Sequence, residues 1–159
     1  MLFFLLACAP AGPDSVLLIT IDTLRADHLG SYGYALAQTP NLDRLAQEGV
    51  RFADETTTVP ITLPAHTSIM TGLLPPAHSV RDNGNYTVPD SLLTWAERLE
   101  PLGYTRQAFV SAAVLDSRYN LDQGFEGYDD ELWAEDEPPM FMIRDRPATR
   151  TVERRIHAH

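Results

Sequence analysis

Lysine is absent from the chain, and all twelve basic side chains are arginine. That excludes a lysine nucleophile, a Schiff base and a phosphate-gripping lysine. Cysteine occurs once, at Cys8, which excludes an intrachain disulfide and a multi-cysteine zinc site. Positive charge is scarce: the formal net charge is −10, and no basic patch could track a phosphate backbone. Nucleic acid is therefore not an expected partner. The N-terminal apolar run, Met1 to Ala7, has seven residues, far short of the ~20 that cross a bilayer as a helix. Internal repeats and low-complexity tracts are also missing. What remains is a chain of 159 residues, enough for one core of ordinary size.

Leu5-Leu6-Ala7 before Cys8, followed by Ala9-Pro10-Ala11-Gly12-Pro13, resembles the end of a bacterial lipoprotein signal. On that reading residues 1–13 are a signal remnant and linker, and Cys8 carries a lipid. The protein would then work in the bacterial cell envelope, in the periplasm or on the outer surface. Its only link to a membrane would be the lipid anchor on Cys8.

Residues 16–21 form a continuous aliphatic and β-branched run, the pattern of a central strand buried on both faces. It ends at Asp22. Ligands of open α/β sheets bind beyond the carboxyl ends of strands, so Asp22 is either a metal ligand or base, or a helix N-cap. Asp27 and His28 read as surface or local hydrogen-bonding groups. Thr39 and Pro40 open an amphipathic helix that buries Leu42, Leu45 and Ala46 and stops at Gly49. Residues 50–53 suggest a short strand. Two prolines and an Asn-Gly turn mark residues 73–85 as an irregular loop. Residues 90–99 suggest a helix burying Leu92, Leu93, Trp95, Ala96 and Leu99, closed by Gly103, with a strand over 104–110. Strand–helix alternation of this kind predicts an α/β layer fold. The acidic stretch 126–137 reads as a solvated loop or peripheral turn, with a calcium site the lesser alternative, and residues 149–159 begin an arginine-rich helix.

The stretch Thr62-Leu63-Pro64-Ala65-His66-Thr67-Ser68-Ile69-Met70-Thr71-Gly72 has a second helix signature. Pro64 fits a first helical turn, Leu63, Ile69 and Met70 supply apolar anchors, and Gly72 ends the helix. Thr62 then stands at a helix N-terminus, where the dipole favours an anion. It is either an ordinary N-cap or a hydroxyl nucleophile meeting a phosphate or sulfate ester.

An Asp at the end of a first strand, followed by a Thr-x-Pro-x-His helix start, resembles the N-terminal part of the sulfatase family within the alkaline phosphatase superfamily. The resemblance covers roughly residues 15–130 and rests on residues 16–27, Thr39-Pro40-Asn41-Leu42-Asp43, Thr62 to His66, Thr71-Gly72 and Gly103-Tyr104-Thr105. It implies an alkaline phosphatase/sulfatase-like mixed sheet flanked by helices. The Thr62 region looks most like the nucleotide pyrophosphatase/phosphodiesterase branch, with Thr62, Pro64, His66, Thr71-Gly72, Pro75, His78 and Asn83 matching in order. By that resemblance Asp22 and Thr62 bind metal, Thr62 attacks, and Asn83 donates a hydrogen bond to a non-bridging ester oxygen. Sulfatases usually place Cys or Ser, converted to formylglycine, where Thr62 stands, and Arg where His66 stands. They also place a second acidic residue where Thr23 stands, and a Lys and His pair with no counterpart in Ala108-Phe109-Val110-Ser111-Ala112-Ala113. The family's remaining metal ligands lie downstream, so residues 14–159 read as the N-terminal portion of a truncated domain.

A threonine hydroxyl is a poor nucleophile near neutral pH, so metal coordination must lower its pKa. Zinc is the favoured divalent cation, with calcium the alternative. A phosphothreonine can be hydrolysed, whereas a sulfothreonine lacks the elimination route open to formylglycine. The chemistry therefore favours phosphate over sulfate esters, although the family resemblance is to sulfatases. The substrate would be a small-molecule or glycan ester. His66, one turn after Thr62, either supports the nucleophile or is a structural histidine, and His78 reads as structural. His157 and His159 are weak ligand candidates. Three roles remain: an incomplete metallohydrolase, a small hydrolase that recruits ligands from a partner, or a non-catalytic envelope-anchored binding module retaining the first half of the fold.

Overall fold

A computed structural model describes residues 15–131. The lipoprotein reading of residues 1–13, the 149–159 helix, His157, His159 and the end of the acidic stretch lie outside the described residues. Two compact units divide the chain, Met1–Ala53 and Asp54–His159.

In the first unit, residues 16–21 run without strand pairing, and Leu17 and Ile19 are 82% and 65% exposed. The expected central strand is therefore not formed there. A strand exists only through hydrogen bonds to a neighbour, and composition cannot supply the neighbour. The same holds for residues 50–53, where Val50 and Phe52 are exposed. Helix α1 spans Pro40–Glu48, with Thr39 before it and Gly49 after it, as the cap residues predict. Thr39 does not cap α1 with its side chain. Its hydroxyl accepts from the Gly30 N–H and lies 3.2 Å from both carboxylate oxygens of Asp43, which also accepts the Ser31 N–H at 2.6 Å. A Cβ on Gly30 would sit 2.5 Å from Asp43 Oδ2, so this close approach requires glycine. Leu42 and Ala46 are half-buried, whereas Leu45, expected in a core, is exposed.

The second unit holds the core. Leu63, Val80, Val88, Leu115 and Leu121 are buried together, with Met70, Leu92, Val110, Ala112 and Tyr119 packed against them. Helix α2 spans Thr62–Thr71 and buries Leu63, Pro64, Thr67 and Thr71. Gly72 ends it at φ +72°, in the left-handed conformation expected of that residue. Ile69, expected as an anchor, is exposed, because the buried stripe falls on 63, 64, 67 and 71.

Residues 75–78, expected as irregular loop, form a one-turn helix α3, Pro75–His78, opened by its prolines. Helix α4 is Trp95–Leu99, shorter than the 90–99 pattern because Thr94 starts it with a capping box: Thr94 Oγ1 accepts from Glu97 N–H, and Glu97 accepts from Thr94 N–H. Ala96 is buried, but Leu93 is exposed. Strand β1, Gln107–Phe109, pairs in parallel with β2, Gly127–Asp129. The crossover 110–126 carries short turns at Ala113–Leu115 and Ser117–Tyr119, which gives the length a parallel pair needs. The start of the acidic stretch is thus a strand rather than a solvated loop, and Asp129 is 3% exposed. Gly103, at φ +78°, closes the turn Glu100–Leu102 that follows α4.

Candidate active site at the start of α2

Thr62 occupies the first helical position of α2, with Ile61 in extended conformation before it. Ile61 C=O accepts the Ala65 N–H at 3.0 Å, the first helical bond. Asn83 arrives from the loop after α3, and its Oδ1 accepts the Leu63 N–H at 2.9 Å. That bond fixes the orientation of the amide: with oxygen turned to α2, the NH2 group is the end left to donate elsewhere. His66 lies one turn on, and its Nδ1 is 2.9 Å from the Thr62 carbonyl. The second unit thus brings three of the sequence-predicted residues, Thr62, His66 and Asn83, to one helix end.

This helix end is a weaker anion cradle than its position suggests. Of its first-turn donors, Leu63 N–H is taken by Asn83, and Pro64 has none to offer.

Asp22 belongs to the first unit. Its carboxylate is exposed and accepts the Thr23 N–H at 3.0 Å, a local turn contact and not a helix cap. Thr23 itself has φ +57°, a costly conformation for a β-branched residue. Among the described residues, no three His, Cys, Asp or Glu side chains gather to hold a metal. Asp22 and Thr62 fit a hard divalent cation in kind, as oxygen donors. They do not fit in number, since calcium takes about six to eight oxygens and zinc about four ligands.

Sequence reasoning missed a network around a buried histidine behind the site. His78, fully buried, accepts the Val80 N–H at Nδ1 (3.1 Å) and lies 3.0 Å from Ser68 Oγ at Nε2. Ser68 Oγ also accepts from Thr58 Oγ1 at 3.0 Å. A ring nitrogen that accepts a backbone N–H is unprotonated, so Nε2 carries the proton and donates to Ser68. The pair is therefore not a serine nucleophile with its base. Burial pushes the His78 pKa down, with Arg81 adding in the same direction, which keeps the ring neutral. A signal was available: Ser68 and His78 are equidistant from Leu73, in the turn that folds α3 back beside α2.

The α/β arrangement, with a small parallel sheet and helices, is part of an alkaline phosphatase-like fold. It matches the solved structure of a 2-O GAG sulfatase with a TM-score of 0.58 at 23% identity, over 75% of this chain and 26% of that one. In sequence the chain is 36% identical over 110 residues to the steryl-sulfatase of Mus musculus, covering 60% of this chain and 18% of the relative. It is 45% identical over 67 residues to the arylsulfatase A of Bos taurus, covering 42% of this chain and 13% of the relative. The chain thus spans less than a fifth of either relative's length. The Sulfatase family model matches residues 14–138. The chain belongs to the sulfatase family.

Proposed function

We propose that this chain carries the nucleophile segment of a metal-dependent hydrolase of sulfate or phosphate esters, with Thr62 as nucleophile. The supporting observation is that Asn83, through the Leu63 N–H, and His66, through the Thr62 carbonyl, both engage the first turn of α2, where Thr62 stands. The Asn83 NH2 group, oriented by its bond to Leu63, binds a non-bridging ester oxygen. His66 braces the first turn through the Thr62 carbonyl. By the family resemblance, Asp22 and Thr62 would each supply an oxygen to a divalent cation, calcium or zinc, that needs further ligands besides them. When bound, such a cation makes a hydroxyl a competent nucleophile by lowering its pKa. The relatives named for steryl sulfates and for glycosaminoglycan sulfates support a small-molecule or glycan ester as substrate. Lipid attachment at Cys8 would place the reaction in the cell envelope.

The test is hydrolysis of aryl sulfate and aryl phosphate esters in the presence of calcium or zinc, with Thr62→Ala beside the wild type. Turnover lost in Thr62→Ala supports the reading. Turnover that survives it removes Thr62 from the chemistry. Saturable ester binding without turnover in either protein favours the non-catalytic binding module.

A further inference from the structure

We infer that His78 is a positioning residue: through its two ring nitrogens it sets both chain segments that flank Thr62. Its Nε2–H holds Ser68, which accepts from Thr58 in the segment that enters α2 just ahead of Thr62. Its Nδ1 accepts from Val80, three residues before Asn83. Asn83 then closes the circuit on the Leu63 N–H. Thr58, Ser68, His78, Val80, Asn83 and Leu63 thus form one ring of hydrogen bonds and short chain links around the N-terminal half of α2. Ser79, between the two anchors, has φ +67°, a conformation that a non-glycine residue holds only where neighbouring contacts impose it. His78 is the one member that joins the two arms, and it does so only as the neutral Nε2–H tautomer. An imidazolium or the other tautomer would point an N–H at the Val80 N–H.

The functional part of this inference rests on Thr62 and Asn83 being the reacting groups, but its test needs no turnover. In the full chain with nitrogen-15-labelled histidine, the His78 resonances at neutral pH should show an unprotonated Nδ1 and a protonated Nε2. The opposite tautomer, or an imidazolium, overturns the inference. Two conservative variants then separate the arms. His78→Asn offers an amide oxygen where Nδ1 stands and keeps the Val80 arm. His78→Gln reaches Ser68 with an amide N–H and keeps the other. Amide exchange at Leu63 should be about five- to tenfold faster in His78→Gln, the effect of one lost hydrogen bond, and close to wild type in His78→Asn. Equal exchange in the wild type and a folded His78→Gln overturns the inference. Ser68→Ala removes the Thr58 arm with little change in packing, so it decides the matter if His78→Gln does not fold. It should shift the amide resonances of residues 58–62, and unmoved resonances there overturn the inference. The ester-hydrolase reading fails separately, through Thr62→Ala.

Discussion

Asn83 has one end bonded to α2 and another that the proposed reaction assigns to the ester, and substitutions can divide them. Asn83→Ala strips the Leu63 N–H of its acceptor and should cost about 1–2 kcal/mol, read from denaturant unfolding. Asn83→Asp keeps an acceptor and adds a negative charge near the positive end of α2, so stability should be retained. It has no NH2 to give an ester oxygen, so turnover should fall sharply in a folded protein. Asn83→Asp with full turnover would remove the amide donor from the account. His78 makes a pH prediction. Its folded-state pKa lies below the unfolded value of about 6.5, so the neutral ring is the stabilising form. Its contribution is present above that value and is lost as pH falls through the folded pKa. Thermal unfolding should therefore show a steeper loss of stability on acidification below about pH 6.5 in the wild type than in His78→Gln. The motif made the meeting of Thr62, His66 and Asn83 at one helix end legible in the sequence. Ser68 and Thr58 were not legible, since a serine and a threonine carry no signal until a turn brings them to a histidine.

At the scale of elements, boundaries were legible where residues act through their own backbone. Pro40 with Gly49, and Gly72 after Thr71, mark helix ends by φ and by the lack of an N–H, which are local properties. Faces and strands were less legible. Ile69 and Leu45 are exposed because the buried side of a helix is chosen by what packs on it. α2 instead buries Thr67 and Thr71, whose hydroxyls donate back to the carbonyls of Leu63 and Thr67 at 2.8 and 2.6 Å and so enter the core satisfied. α4 depends on its start. Thr94 caps the helix and also donates to the Gln123 carbonyl at 3.0 Å, while fully buried. Thr94→Ala should cost at least the ~1 kcal/mol of a lost cap, measured by urea unfolding. Across from it, Gly124 has φ +82°, and a Cβ there would run into the Glu97 backbone and side chain. Gly124→Ala should therefore destabilise the protein, and by more than Gly72→Ala, where no atom lies within 4 Å of the added carbon.

At the scale of the whole molecule, the two units differ in what they bury. All buried residues among those described belong to Asp54–His159, and none to Met1–Ala53. Amide hydrogen exchange should therefore protect α2 and the 107–129 strand pair far more than residues 16–24, whose aliphatic side chains are exposed. The α/β class and the sulfatase family were legible from the order of the motifs along the chain. The strand over 16–21 was not, since a β-strand belongs to a sheet and not to a segment. The central claim is that Thr62 attacks the ester. The most direct measurement is mass spectrometry of the protein quenched during incubation with an aryl phosphate or aryl sulfate and calcium or zinc. The account predicts a phosphoryl or sulfuryl group on Thr62, absent in Thr62→Ala. An adduct on another residue, or turnover undiminished in Thr62→Ala, would contradict it.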